Sequence, residues 1–344
     1  MTVGALSGVD GREAGQVLAR SAGVWMPLAR AAVEDLAEPL RRMTGYHLGW
    51  WDVDGNAVDA LAGKGFRAGL ALCAAEAAGG GPGVARSAAV GVELLHNFTL
   101  VHDDLMDRDR LRRGRATVWS IWGDGAAVLV GDALHALAIR VLTEHRSSAA
   151  GAMIARLADA ALELCRGQSE DLAFETTDRP VGVADYVQMV AGKTGSLMGA
   201  ACALGALAAA ADAPVIAGLE GFGRELGLAF QFADDVLGVW GDPAVTGKPA
   251  GSDLARRKRT LPVVAALASG TAAAGELDRL YRSASALDPA QVARAKALVE
   301  AAGVRDWCRR QAVERIAAAW AALPAQLRTT DLWALARFGG QRWQ

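Results

Sequence analysis

Two groups of aspartates set the chemistry open to this chain. The first, Asp103-Asp104-Leu105-Met106-Asp107, ends the apolar run Leu95-His96-Asn97-Phe98-Thr99-Leu100-Val101-His102 and is followed by Arg112-Arg113. At 3.6 residues per turn, Asp103 and Asp107 share one helix face, one turn apart, with Asp104 beside them. The second, Asp234-Asp235, closes the run Phe230-Gln231-Phe232-Ala233. It then passes through Val236-Leu237-Gly238 into Gly241-Asp242-Pro243-Ala244-Val245-Thr246-Gly247-Lys248. One acidic helix end is ordinarily a solvated surface, but two on helices too apolar to be exposed call for a hard cation. Mg²⁺ takes one or two carboxylates and keeps waters and phosphate oxygens as its other ligands, so the missing partner is a phosphate.

The basic residues make the same point from the other side. Lys64 and Arg67 lie in Gly63-Lys64-Gly65-Phe66-Arg67, and Arg112 and Arg113 follow the first acidic group. Lys193 lies in Gly192-Lys193-Thr194-Gly195, and Lys248 and Lys258 follow the second group. Together they form a cationic set suited to diphosphate. Lys193 is flanked by Met189-Val190-Ala191 and Leu197-Met198-Gly199-Ala200, a poor setting for a solvated charge. Arg256 and Arg257 read as solvated surface charges.

Helices must position both groups. The apolar period predicts helices over residues 16–42 with a break at Pro27, then 65–78, 85–107, 126–144, 151–176, 184–211, 216–240, 260–268, 275–285, 288–302 and 304–322. Gly79-Gly80-Gly81-Pro82-Gly83 separates two of them, Asp288-Pro289 is an N-cap with proline at the first helical position, and Leu323-Pro324 closes another. No sustained period-two pattern marks a strand, and no fixed repeat recurs. The fold expected is all-α. Residues 16–344 form one large helical domain, residues 1–15 a flexible N-terminus, and the site is built in the core from facing helices.

Composition narrows the partners. The chain has 344 residues, 52% apolar and 22% charged, with a formal net charge of −2, which favours neither nucleic acid nor a strongly anionic membrane. No uninterrupted apolar stretch reaches the roughly 18 residues of a transmembrane segment, and the first residues lack the order of a signal peptide, so a cytoplasmic location is expected. Cys73, Cys165, Cys202 and Cys308 show no Cys-x-x-Cys spacing and read as small core residues, and the histidines show no paired metal spacing. The tryptophans, including Trp50-Trp51, Trp333 and Trp343, read as packing residues.

These motifs resemble the trans-isoprenyl diphosphate synthases, specifically the geranylgeranyl or farnesyl type. Asp103-Asp104-Leu105-Met106-Asp107 with Arg112-Arg113-Gly114 is similar to the first aspartate-rich motif, and Asp234-Asp235 with Gly241-Asp242-Pro243 and Thr246-Gly247-Lys248 to the second. Gly167-Gln168-Ser169-Glu170-Asp171-Leu172 and Lys193-Thr194 resemble two intermediate motifs. The resemblance implies a helical bundle around a central cavity, a homodimer, and two substrates, isopentenyl diphosphate and an allylic diphosphate. It implies Asp103, Asp107 and Asp234 as the principal ligands of Mg²⁺, usually three ions, with Asp104 and Asp235 beside them. Arg112, Lys193, Lys248 and Lys258 would contact the allylic diphosphate. Lys64, Arg67, His96 and Arg113 would bind isopentenyl diphosphate, and Thr194 and Gln231 would line the reacting centre. Gly238 stands where a third aspartate of the second motif can occur. Where the family often has Gly-Lys-Arg-x-Arg-Pro, this chain has Gly63-Lys64-Gly65-Phe66-Arg67-Ala68.

The chemistry implied is ionisation of the allylic C–O bond, attack on the cation by the isopentenyl double bond, and loss of a proton. Metals and cationic side chains stabilise the departing diphosphate, and an apolar cavity keeps water out. Phe98 and Thr99 precede Asp103 by five and four positions, about 7.5 and 6 Å deeper along the helix, where a growing chain would point. In the resembling family an aromatic followed by a small residue there accompanies a C20 product and two aromatics a C15 product. Geranylgeranyl diphosphate is therefore expected, with farnesyl or longer products as the alternatives. A class I terpene cyclase has no use for a second anion site at Lys64, Arg67, His96 and Arg113. A non-catalytic scaffold has no use for gathered carboxylates, which are costly without a metal.

Overall fold

Helix α1 (Gly11–Glu34) carries Pro27 in its interior and does not break there. One hydrogen bond is lost at the proline. Ala14, Val17, Leu18, Trp25, Ala29 and Val33 bury one face on both sides of it, and that burial holds the helix straight through. The break comes later, before α2 (Leu40–His47). The computed structural model describes residues 11–58, 63–145, 147–177, 179–241, 251–282 and 286–340. Of the N-terminus expected to be flexible, residues 1–10 lie outside the described residues, and 11–15 are helical.

The core is built from helices so small in side chain that they approach closely. In α3 (Phe66–Ala77) nine residues are buried, among them Leu70 and Cys73. α4 (Arg86–Met106) lays Leu94, Leu95 and Val101 into the same core. Its C-terminus is set by Asp107, whose N–H donates to the Asp103 carbonyl, and by Arg108 at φ 56. Each fully buried leucine contributes roughly 1.5–3 kcal/mol relative to exposure.

After α4 the chain makes the one strand pair among the described residues, β1 (Leu111–Arg112) with β2 (Arg115–Ala116), antiparallel. The intervening Arg113 and Gly114 have φ of 52° and 75°, the primed-turn signature that matches strand twist. Two residues per strand are too few to show a period, so no sequence pattern announces it. Next come α5 (Val118–Trp122), α6 (Asp124–Thr143) and α7 (Ala150–Thr176).

The expected helix over 184–211 is α8 (Val183–Val190), a π-helical turn (Ala191–Gly195) and α9 (Ser196–Ala208) in one continuous run. Close approach from two sides fixes the turn. A Cβ on Gly167 of α7 would lie 2.8 Å from the Gly192 carbonyl carbon. α10 (Ala213–Trp240) comes equally near, since a Cβ on Gly227 would lie 2.7 Å from the Gly195 Cα. Arg224 locks α10 to α7 by a fork onto Glu163 (2.8 and 2.9 Å) and is itself steadied by Glu220 one turn earlier on α10 (2.9 Å).

The C-terminal third adds helices Leu261–Leu267, Ala272–Tyr281, Pro289–Ala301, Arg305–Ala322 and Thr330–Gly340. The last, unexpected from sequence, packs on α1 and α10 through Leu332, Leu335 and Ala336. Cys73, Cys202 and Cys308 are buried as expected, but Cys165 is exposed on α7. By length and composition alone, Asp124–Thr143 and Val183–Ala208 could cross a membrane. Isolated charges hid them from a search for unbroken apolar runs. The second is mostly buried inside the bundle.

Candidate active site

Both aspartate groups lie near helix C-termini, where the helix dipole is negative and extra carboxylates are unfavourable without compensating cations. The cations are present, and they sort adjacent aspartates into different roles. Asp104, 2% exposed, takes a forked ion pair from Arg112, with Nε at 2.8 and 2.9 Å and Nη2 at 2.7 Å. This pair fixes the β1–β2 hairpin to the end of α4. Asp107 is reached instead by Lys258 at 2.8 Å and by Arg256, whose Nη2 donates to the Asp107 carbonyl at 3.1 Å and also binds Asp109. Arg256 is thus a half-buried partner of the first acidic group, not the solvated charge expected. Arg257 likewise donates to the Tyr281 carbonyl, at 3.3 Å.

Asp103 lies among Lys193, Asp107, Arg112 and Lys258, and burial lifts its carboxyl above the usual range. Burial would lift Asp107 too, but Lys258 outweighs it and holds that carboxyl low. The π-turn brings Lys193 to Asp171 of α7 at 2.6 Å. Burial disfavours the ammonium there, yet Asp171 and Asp103 together keep it firmly protonated.

The second group divides in the same way. Asp235 is 3% exposed and accepts from the Leu261 N–H (2.8 Å), from Gln231 Nε2 (3.0 Å) and from the Tyr186 hydroxyl. Gln231 in turn accepts from Thr194 Oγ1 at 3.1 Å, so one chain of bonds runs from the π-turn through α10 to the Leu261–Leu267 helix. Burial raises the Asp235 carboxyl to about 7 despite these donors. Asp234 is turned to another neighbourhood, within electrostatic reach of Arg67. Gly238 leaves room for Asp253: a Cβ there would run into the Asp253 carboxylate. Asp253 therefore occupies the space that a third aspartate of the motif would fill.

A separate cationic region adjoins. Arg67 lies near Glu93, Asp234 and Arg113, and burial lowers its pKa to about 10. His96 is held neutral by burial and by Arg67, Arg113 and Arg112. Gly63 packs against the Arg113 guanidinium, where a Cβ would lie 2.9 Å from Nη2, so the loop carrying Lys64 abuts the hairpin turn. Lys64 Nζ lies 4.7 Å from the Phe338 ring centre. Lys248 lies outside the described residues.

Phe98 projects from α4 between two imidazoles, His102 at 4.7 Å and His135 of α6 at 5.1 Å between ring centres. Thr99 is buried, and its hydroxyl is turned back onto the His96 carbonyl at 2.7 Å.

Comparison with known proteins decides what this arrangement is. The polyprenyl synthetase family model matches residues 56–300. The chain belongs to the polyprenyl synthetase family. It is 54% identical over 312 residues to a geranylgeranyl diphosphate synthase of Mycobacterium tuberculosis, covering 90% of this chain and 89% of that one. To a (2E,6E)-farnesyl diphosphate synthase of the same organism it is 44% identical over 290 residues, 83% and 80% of the two chains. A polyprenyl synthetase structure from Streptomyces coelicolor superposes with a TM-score of 0.88 at 42% identity, covering 94% of this chain and 98% of that chain.

The all-α fold and the trans-prenyltransferase activity expected from the motifs are those of the family. Polyprenyl synthetases use divalent metal ions and take isopentenyl and allylic diphosphates. Among the described residues no three acidic, histidine or cysteine side chains converge as a self-sufficient metal site. Asp103 and Asp107, four residues apart at the end of α4, suit an ion held by one or two carboxylates with diphosphate oxygens completing its shell.

Sequence reasoning passed over Tyr186, Asp253 and Glu93. Glu93 carried a signal: it is a charge on the apolar face of α4, and it is buried opposite Arg67.

Proposed function

We propose that this polyprenyl synthetase condenses isopentenyl diphosphate with dimethylallyl, geranyl or farnesyl diphosphate and releases chiefly geranylgeranyl diphosphate. Phe98 carries the C20 reading. Its ring, packed against His102 and His135, lies about 7.5 Å below the metal end of α4, where a growing chain would point, and Thr99 beside it stays small. A second aromatic at that level would stop growth earlier.

Asp103, Asp107 and Asp234 are the residues that would hold Mg²⁺, three ions by resemblance to the family. When bound, these ions offset the charge of the departing diphosphate. Lys193 and Lys258, both held protonated by neighbouring carboxylates, take the same diphosphate, and the motif residue Lys248 shares that role. Arg112 orders the hairpin through Asp104 while its charge faces the site. Lys64, Arg67, His96 and Arg113 hold isopentenyl diphosphate. Thr194 and Gln231, fixed to each other and to Asp235, present oxygen lone pairs to the allylic cation.

The active form is a homodimer. The outer face of α6 exposes Val128, Leu129 and Ile139 around Asp132, and α7, packed beside it, exposes Leu162 at 71%. Large apolar side chains so exposed on two neighbouring helices suit burial against a second copy of the same face.

The test is incubation with isopentenyl diphosphate, each allylic starter and Mg²⁺, followed by chromatography of the dephosphorylated products. A dominant C20 alcohol supports the reading; dominant C15 or products beyond C20 refute it.

A further inference from the structure

The segment from α2 to Ala57, rich in tryptophan, does more than pack. It is clamped onto the β1–β2 hairpin. Tyr46 Oη donates to the Ala116 carbonyl at 2.9 Å. Arg115 donates to the carbonyls of Tyr46 (3.0 Å) and Trp51 (2.8 Å) and lies 4.2 Å from the Tyr46 ring centre. Trp51 pairs with Ala57 and packs against Gly45. What this clamp sets in place is the last residue of α2, His47.

His47 faces Arg112 and Arg113 of the hairpin turn, Arg115 of β2, and Asn97 and His96 of α4. Arg67 of α3 and Glu93 of α4 complete the surroundings of that arginine cluster. Asn97, whose amide nitrogen donates to the Glu93 carbonyl at 2.8 Å, hydrogen-bonds the His47 side chain. The far ring nitrogen, Nε2, is buried and meets no partner among the described residues. An unmet buried polar group is costly, and Arg67, Arg112, Arg113 and Arg115 crowd more positive charge here than the neighbouring Glu93 and Asp104 offset. One ligand oxygen would satisfy both.

Resting on the reading that Arg67, His96 and Arg113 hold isopentenyl diphosphate, we propose that His47 is a further ligand of that diphosphate, its Nε2 bonding a phosphoryl oxygen beside Arg113. Burial, then the charges of Arg112 and Arg113, hold the free ring neutral, with a pKa near 3. The ligand's negative charge offsets those arginines, and the ring gains the proton that forms the bond.

Two near-isosteric variants isolate Nε2. Asparagine places an amide near the position of Nδ1, whereas glutamine reaches the position of Nε2 with an N–H donor. His47→Asn should weaken equilibrium binding of isopentenyl diphosphate, measured calorimetrically without allylic substrate, roughly tenfold or more, as for loss of a charge-assisted bond. Its KM should rise in parallel, while the allylic KM moves little. His47→Gln should recover most of the loss. Wild-type affinity in His47→Asn, equal impairment in both variants, or an equal rise in both KM values would overturn the proposal. Arg113→Gln and Arg67→Gln provide a separate control. If neither alters isopentenyl diphosphate binding, the site assignment itself fails, whatever His47 does.

Discussion

Lys258 and Asp107, 151 residues apart in the chain, meet at 2.8 Å. Two residues before Lys258, Arg256 reaches Asp107 and Asp109, and three residues after it the Leu261 N–H reaches Asp235. One short segment therefore binds both aspartate motifs. In the free protein these cations balance carboxylates whose position at helix C-termini would otherwise be unfavourable.

On the proposed metal clamp, Asp103 and Asp234 are the positions where loss of a carboxylate removes a metal ligand and little packing. Asp103→Ala or Asp234→Ala should cut kcat by about a thousandfold, the equivalent of several kcal/mol of transition-state stabilisation, with an unchanged circular dichroism spectrum. Near-normal turnover with Mg²⁺ in either variant would refute the metal-clamp reading.

Asp235 should behave differently from its neighbour. Its carboxylate joins Tyr186, Gln231 and Leu261, so Asp235→Asn should cost about 1–3 kcal/mol of stability and lower Tm by several degrees. The Mg²⁺ concentration for half-maximal rate should stay near wild type, whereas in Asp234→Asn it should rise sharply. Metal titrations of the two variants decide the point.

The basic residues should separate by kinetic signature. Neutralising Lys64 and Arg67 should chiefly raise the KM for isopentenyl diphosphate, and neutralising Lys193 and Lys258 should chiefly lower the rate of allylic ionisation. Identical defects in both pairs would contradict the division.

How far the sequence alone reached differs from residue to residue. Asp103 and Asp107 were legible because a four-residue spacing on a helix needs no tertiary information. Which of two adjacent aspartates turns inward was not: Asp104 and Asp235 are claimed by Arg112 and Tyr186, partners set by helix crossings. The π-turn was invisible because its five residues, Ala191–Gly195, fit a helical pattern equally well. Arg256 looked solvated because nothing local shows that its segment folds back onto α4. The break expected at Pro27 failed because burial on both sides outweighs one lost hydrogen bond.

Product length should follow the residues below Asp103. Phe98→Ala, which removes the ring packed against His102 and His135, should extend products beyond C20. Thr99→Phe should shift output towards C15. Chromatography of the products checks both, and an unchanged distribution in the two variants would place the floor elsewhere.

Stability in acid should depend on His47. Its folded pKa, about 3, lies below the ordinary 6.5, so below pH 6.5 the unfolded chain binds more protons than the folded one. Stability is then complete above about pH 6.5 and falls as pH drops towards 3, by at most about 1.4 kcal/mol per pH unit from this group. Urea unfolding at pH 6.5 and 5.5 should show wild type losing roughly 1 kcal/mol more than His47→Asn. Equal losses would mean that the ring is not held neutral.

The clamp between Tyr46, Trp51 and Arg115 bears on portability. On the proposed division of the site, copying the two aspartate motifs and their lysines into another helical bundle would transplant the ionising half of the machinery and leave the second-substrate arm unanchored. That arm is aimed by residues upstream of every recognised motif. A designer who trims the early tryptophan segment as ornament would be removing the jig that holds Arg113 in register.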